Sequence, residues 1–405
     1  MTISVAHRRL IFFVAALAYM LSQFYRSFLT VIVDELMRDL SIGPQAYGAL
    51  GSAWFFAFSL FQFAVGAMLD TLGPRRTITG LMVFAVGGAF MFASATTEGA
   101  ALFAMVLIGI GCSPILMGAL YFFAKTEPPQ RFAALGSIFL SCGLIGSLIS
   151  ATPFAYLAQW LGWRDAIRVF GVLTAIIAVA LYFVFRDPEA EPAPAGGSLI
   201  GDLVTLLKVP AMLPILIMSF MVSAPIFTER SLWVGPFFSQ VYALSPIARG
   251  NVVLFIALCM TICAMFSGPI ASRIDSPRKV VVWGNVICIL AFLALGLLGN
   301  PPMMVALVLL GIAALTGVTY AVLLAHGRLF MPAHVLGRGI TFINFVSIGG
   351  TGVAQFLSGA AVERMQGAGW SPVATYSALH LAFAATLALA LIAYLRSPER
   401  PGPAT

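Results

Sequence analysis

The chain has 405 residues, 60% of them apolar by type and only 9% charged. Soluble domains carry about a quarter charged residues, so this composition cannot dress a water-facing surface and argues against a soluble enzyme. The formal net charge of +7 would elsewhere suggest a nucleic-acid partner. Here the basic residues sit in short loops between apolar runs, the bias that fixes orientation in a bilayer, and no nucleic-acid partner is expected.

Near the N-terminus, His7-Arg8-Arg9 precedes an apolar run as in a secretory leader. Cleavage at Ala16-Leu17-Ala18 would leave only about six apolar residues, too few for such a leader, so the run reads as a retained first span. A bilayer core of about 30 Å needs about twenty helical residues. That ruler gives spans at approximately 10–33, 45–69, 77–96, 100–125, 132–157 and 166–185 in the first half. In the second half it gives 211–239, 247–272, 280–299, 302–326, 339–362 and 374–395. The gaps are short and rich in Gly, Pro and charge, as breakers are. One gap is longer: Arg186 to Gly197 is polar and rich in Pro and Gly, and a short amphipathic piece, Leu199 to Lys208, follows it.

The expected organisation is an all-α membrane protein of twelve transmembrane helices in two pseudo-symmetric six-helix bundles. Residues 1–186 form the first bundle, 187–209 a cytoplasmic linker, 210–396 the second bundle and 397–405 a tail. With the N-terminus inside, the inner loops and tails hold Arg8, Arg9, Arg75, Arg76, Lys125, Arg131, Arg186, Lys208, Arg273, Arg278, Lys279, Arg328, Arg338, Arg396 and Arg400. The outer loops hold only Arg38, Arg164, Arg168, Arg249 and Arg364. The positive-inside bias therefore predicts cytoplasmic termini and a plasma (inner) membrane location. The cysteines (Cys112, Cys142, Cys259, Cys263, Cys288) all lie in apolar runs, which argues against a disulfide framework. Cys259 and Cys263 share a helix face without an accompanying His, Asp or Glu, so no metal is expected.

Two stretches repeat. Gly66-Ala67-Met68-Leu69-Asp70-Thr71-Leu72-Gly73-Pro74-Arg75-Arg76 matches Gly268-Pro269-Ile270-Ala271-Ser272-Arg273-Ile274-Asp275-Ser276-Pro277-Arg278-Lys279 with one residue inserted. Upstream, Arg26-Ser27-Phe28-Leu29 matches Arg230-Ser231-Leu232-Trp233 at nearly the same offset, so half the chain is an internal repeat. The first stretch resembles the loop signature of the major facilitator superfamily, G-x-x-x-D-[RK]-x-G-[RK]-[RK]. Gly66, Asp70, Gly73, Arg75 and Arg76 match it; Thr71 departs from it, and Pro74 takes one basic slot. In the second copy Ser272 stands where the aspartate should be. The resemblance implies a conformational gate at the five matching residues. Gly66 would let two helices approach closely, and Asp70 would face the positive end of the eleventh helix near Gly337-Arg338-Gly339. The plainer alternative is a structural turn.

Arg26 and Arg230 belong to no loop. A charge inside a span costs a few kcal/mol even on forgiving scales, so such residues face a bundle interior or a wet cavity. On helical spacing Tyr19, Gln23, Arg26 and Thr30 share a face of the first span, and Ser219, Ser223 and Arg230 a face of the seventh. The eleventh carries Thr341, Asn344, Thr351, Gln355 and Ser358. Guanidinium grips carboxylate or phosphate bidentately. The pair is similar to the arginines that organophosphate:phosphate antiporters place on their first and seventh helices. Arg26 lies about the right distance before Gly66 for that comparison. With Trp233 and Pro236 aligned to that family's tryptophan and proline, however, its second arginine falls on Phe227. The alternative is a structural pair: Arg26 could reach Asp34 or Glu35, and Glu229 could bridge to a neighbouring helix. Glu229 is also a candidate for proton coupling. His380, alone on the last span, reads as packing or a helix contact.

Resemblance to proton-coupled drug antiporters is weak. Met105 replaces their fourth-helix arginine ahead of Gly109, and Ser141 to Gly146 lacks their Gly-Pro pair. No nucleotide-binding loop, catalytic constellation or metal-ligand cluster is visible, so neither an enzyme nor a cofactor is expected. The reading is a secondary transporter, monomeric in the lipid, moving a small organic anion by alternating access, with a proton or counter-anion as the coupled partner. The candidate substrate-binding residues are Arg26, Arg230, Tyr19, Gln23, Asn344, Gln355 and Trp233. One alternative is a permease or efflux pump for neutral or cationic amphiphiles, recognised by Tyr19, Trp54, Tyr121 and Trp233. Another is a non-transporting membrane scaffold or sensor.

Overall fold

The computed structural model describes residues 5–185, 206–274, 276–331 and 336–399. Most of the expected linker, with Arg186, and the end of the tail, with Arg400, lie outside the described residues. So do Asp275 and the side chains of Ser272 and Arg338. The chain divides into two compact units, one of Met1–Pro194 with Pro246–Leu254 and one of Ala195–Ser245 with Phe255–Thr405.

In the first unit, α1 (Val5–Tyr25), α2 (Val33–Leu40), α3 (Pro44–Ser94), α4 (Glu98–Thr126), α5 (Pro129–Ile149), α6 (Thr152–Leu161) and α7 (Trp163–Val184) follow in order. Helix α3 has 51 residues. At 1.5 Å per residue that is more than twice a bilayer core, but it is not one rod. Gly73 sits at φ 80°, ψ 165°, a conformation that only glycine adopts without strain. Pro74 then opens the next run, where its missing N–H costs nothing. The break makes α3 two spans, joined at the motif that the repeat marks. Helices α5 and α6 meet at a 41° bend and form one span; there Ser150 turns its hydroxyl to the Ser147 carbonyl, 2.9 Å away.

The second unit contains α8 (Met212–Val222), α9 (Ala224–Thr228), a π-helical turn (Glu229–Trp233) and α10 (Val234–Gln240), which together make one span. It continues with α11 (Pro246–Ile274), whose first turns belong to the first unit. Then come α12 (Pro277–Leu298), α13 (Met303–Ala313), α14 (Thr316–Arg328), α15 (Leu336–Gly367) and α16 (Pro372–Tyr394). Among the described residues nine helices are long and apolar enough to cross a membrane, or ten with the bent pair. That count takes α3 once and omits α1. Adding the second run of α3 and the 21-residue α1 gives the twelve expected spans.

The repeat is visible in the packing of each unit. A Cβ on Gly146 of α5 would collide with the Met20 carbonyl of α1, and a Cβ on Gly350 of α15 with the Phe220 carbonyl of α8. Likewise a Cβ on Gly109 of α4 would lie 2.6 Å from the Trp54 carbonyl, and one on Gly317 of α14 2.6 Å from the Met260 carbonyl. Lipid offers no hydrophobic drive for helix association, so helices pair where small residues let backbones touch. Each unit uses glycine at the same pair of crossings.

Candidate functional site

The seventh span is irregular where its charges lie. Pro225 and Pro236 remove the backbone donors that would bond to the carbonyls four residues back, those of Met221 and Leu232. The helix widens between them: the Val234 N–H reaches back five residues to the Glu229 carbonyl, while the Ser231 hydroxyl takes the carbonyl of Phe227. Turns of this kind are frequent at functional positions. This one carries Glu229, Arg230, Ser231 and Trp233, all buried.

Helix α15 holds the turn in place. Gln355 donates its amide to the Ser231 hydroxyl at 2.8 Å, and Trp233 donates its indole N–H to the Ser358 hydroxyl at 2.8 Å. Of the expected binding residues, Trp233 and Gln355 are thus tied to one turn through Ser358 and Ser231, with Arg230 in the same turn. Asn344 lies elsewhere on α15 and accepts from the Tyr320 hydroxyl. Arg230 is only 3% exposed, and its guanidinium carbon lies 5.6 Å from the centre of the Phe227 ring. Glu229, 0% exposed, faces α16: its Oε1 is 3.4 Å from Nε2 of His380.

In the first unit the expected first span breaks early. Helix α1 ends at Tyr25, and a single 3₁₀ turn, Phe28–Thr30, follows. At the break the Ser27 N–H turns back to the Phe24 carbonyl at 3.0 Å, and the Ser27 hydroxyl lies 2.9 Å from that of Ser150. Tyr19, Gln23, Arg26 and Thr30 therefore do not share one continuous helical face. Arg26 sits at the break, its guanidinium carbon 5.2 Å from the Trp54 ring centre, 5.4 Å from Phe58 and 5.8 Å from Phe55. A cation over desolvated rings gains about 2 kcal/mol, which helps hold it inside the span. Tyr19 stacks on Phe139 with ring centres 5.2 Å apart and closes over Gly143. Gln23 is buried, and among the described residues its Oε1 accepts no hydrogen bond.

The loop-signature residues lie at the break in α3. Gly73 makes the turn. Arg75 lies over the Tyr182 ring, 4.3 Å from its centre, and Arg76 is exposed. Asp70 is exposed, and among the described residues it makes no hydrogen bond or ion pair. The close approach expected at Gly66 is not seen: a Cβ there would meet nothing within 4 Å. The tight contacts of α3 fall instead on Gly88, and on Gly109 and Gly111 of α4.

The family model of the Major Facilitator Superfamily matches residues 15–347. The chain belongs to the Major Facilitator Superfamily. It is therefore a multi-pass membrane protein of a transporter family. Solved facilitators share its fold at low identity. A bacterial homolog of the human lysosomal transporter Spinster superposes with a TM-score of 0.81 at 16% identity, covering 99% of this chain and 100% of that one. The nucleoside transporter NupG gives 0.75 at 17% identity, covering 96% and 98%. Among curated relatives, a probable L-galactonate transporter of Escherichia coli is 27% identical over 44% of this chain and 39% of its own length. A probable galactarate/D-glucarate transporter of Bacillus subtilis is 26% identical over 41% and 38%. The mouse sodium-dependent phosphate transport protein 1 is 28% identical over 38% and 33%. The chain thus spans about two fifths of the length of the first of these relatives.

Two features of this facilitator were not read from the sequence. Arg249, assigned to an outer loop, is 1% exposed in the first turn of α11 and pairs with Asp34 of α2 at 2.5 Å. Nearby, Asp39 accepts from the Trp163 indole at 2.9 Å. That bond, reinforced by Arg38, holds the carboxyl below its ordinary range. Local spacing in the sequence does not reveal either pair, because each joins elements more than a hundred residues apart.

Proposed function

We propose that this facilitator moves a small polyhydroxylated organic anion of the sugar-acid class across the membrane by alternating access. The observation that carries the reading is a guanidinium inside the span on each of two repeat-related helices, Arg26 against three aromatic rings and Arg230 buried in the π-helical turn. A permanent cation in an apolar span is costly, and an anionic solute offsets that cost at both positions. The same charges disfavour a cationic amphiphile. The relatives named for galactonate, galactarate and glucarate point to carboxylates with many hydroxyls, for which Gln23, Asn344 and Gln355 offer amide partners. The phosphate-named relative keeps a second oxyanion within the same chemistry. Asp70 and its neighbours serve as the gate, Glu229 as the coupling site, and the termini lie on the cytoplasmic side of the inner membrane.

Proteoliposomes holding the purified protein test this. Saturable uptake of labelled galactarate, competed by D-glucarate and L-galactonate but not by a cationic dye, is the expected result. Arg26→Lys should fail nearly as badly as Arg26→Ala, because an ammonium keeps charge but loses the planar fork. The loss in affinity should be some thirty-fold or more, about 2–5 kcal/mol. Dye transport without galactarate uptake, or full rescue by lysine, would retire the anion reading.

A further inference from the structure

At the end of the first unit where α1 begins lies a basic cavity that the transport reading does not use. We propose that it is a binding site for the phosphate of an anionic phospholipid. Arg8, Arg9 and Phe12 of α1, Phe123 of α4, Glu127 just beyond it and Arg131 of α5 line a space of about 150 Å³. A single water needs about 10–15 Å³ of such space, so a headgroup of several atoms fits.

Glu127 builds the site. Its side chain is 5% exposed, and it lies 3.2 Å from Arg8 and 3.5 Å from Arg131. Arg8 also reaches the Thr126 carbonyl at 3.4 Å, and His7 bonds to the Val184 carbonyl of α7 at 2.8 Å. The first turn of α1 is thereby fixed to α4 and α7, with the Arg8 guanidinium at the cavity wall. One carboxylate cannot neutralise three guanidiniums. Arg9 is exposed, and among the described residues it makes no hydrogen bond or ion pair. An oxyanion set among the three arginines supplies the missing charge, and their planar forks suit phosphate.

Place and walls favour a lipid over a soluble anion. Arg8 and Arg9 precede the first apolar run, and Glu127 and Arg131 lie between the fourth and fifth. The cavity therefore lies at a membrane–water boundary. In the orientation proposed above this is the cytoplasmic side, whose leaflet carries anionic lipid. Phe12 stacks on Phe123 with ring centres 5.6 Å apart, an apolar wall from which a small hydrated anion gains nothing. Leu10 and Phe13, beside Arg9 and Phe12 in the sequence, are 46% and 61% exposed and offer acyl chains an apolar track. A zwitterionic headgroup is disfavoured, because its ammonium meets the uncompensated guanidiniums. One lipid held here bridges α1, α4 and α5.

Native mass spectrometry of the full-length protein, delipidated in detergent, tests this with phosphatidylglycerol and phosphatidylethanolamine as probes. The native protein should hold one phosphatidylglycerol about tenfold or more tighter than phosphatidylethanolamine. Arg9→Ala and Arg131→Ala should each weaken it about fivefold, and the double variant should remove the preference. Arg396 is exposed and outside the cavity, and Arg396→Ala should change the affinity by less than about twofold. Arg9 makes no bond that folding needs, so Arg9→Ala decides even where Arg131→Ala melts early. Equal affinity for the two lipids in the native protein, or equal losses in Arg396→Ala and Arg9→Ala, would overturn the site. Displacement of the lipid by millimolar glycerol phosphate or galactarate would show a soluble-anion site and overturn the lipid assignment.

Discussion

Trp233 donates its indole N–H to the hydroxyl of Ser358, 2.8 Å away, and so fastens the π-helical turn of one span to the helix of another. Burial makes this bond matter, since a donor without a partner in a dry interior costs about 1–3 kcal/mol. Ser358→Ala should therefore lower the melting temperature clearly. Trp233→Phe removes the donor but also indole contact area, and should lower it too. The double variant should lose less than the two single losses added together, because the alanine then faces no orphaned donor. Strict additivity in thermal or denaturant unfolding would show that the bond contributes nothing.

Asp34 and Arg249 should respond unequally to mutation. The aspartate side chain is 47% exposed and the arginine 1%. Asp34→Ala leaves a buried guanidinium without its acid, at a cost that in fully buried pairs reaches about 3–5 kcal/mol and is smaller here because water reaches the carboxylate. Arg249→Met keeps the apolar stem, removes the buried charge and leaves an aspartate that water can solvate. Its cost should be well under half that of Asp34→Ala. Equal losses of melting temperature would mean that the pair is not what holds the first turn of α11.

These results mark what the sequence made legible. The twelve spans follow from apolar run length, and the repeat follows from two anchors, Gly66 with Gly268 and Arg26 with Arg230. Positions inside spans that carry charge were also evident, because composition alone makes Arg26, Glu229 and Arg230 costly. Their partners were not. His380 sits about a hundred and fifty residues from Glu229, and helical periodicity reports a face but not its neighbour. The break after Tyr25 is not legible either: Ser27 there meets Ser150, more than a hundred residues away, a contact that no local propensity encodes. The motif implies a close approach at Gly66, whereas the crossings that need glycine are at Gly109, Gly111 and Gly146.

Acid should reveal Asp39. Its folded-state pKa lies below the usual 3.8, first because the Trp163 indole bonds to its carboxylate. The unfolded chain then binds the proton more readily than the native one. The stabilisation is complete above that usual value and is lost as pH falls through the lower folded value. A melting curve followed from about pH 6 down to about pH 3 should steepen at its acid end in the native protein, and less so in Trp163→Phe or Asp39→Asn. The carboxylate is partly exposed, so the difference should be modest. An identical acid limb in all three proteins would remove the indole from the account.

The loop signature offers the sharpest separation of roles, because its residues differ so much in surroundings. Gly73 is held at φ 80°, ψ 165°, where any other residue is strained by about 1–3 kcal/mol. Gly73→Ala should therefore lower the melting temperature directly. Gly66 has open space where a Cβ would go, and alanine in a helix is favoured over glycine by about 0.5–1 kcal/mol. Gly66→Ala should hold or raise the melting temperature. Exposed Asp70 makes no hydrogen bond or ion pair among the described residues, so Asp70→Asn should leave stability unchanged as well. A gate residue spends its interaction in a conformation other than the one where it stands free. A charge facing a helix end is worth about 0.3–2 kcal/mol, enough to shift a balanced conformational equilibrium severalfold. If the motif is a gate, Gly66→Ala and Asp70→Asn should cut galactarate transport severalfold while melting as the native protein does. If both transport at the native rate, only Gly73 and Pro74 matter, and the motif is a turn.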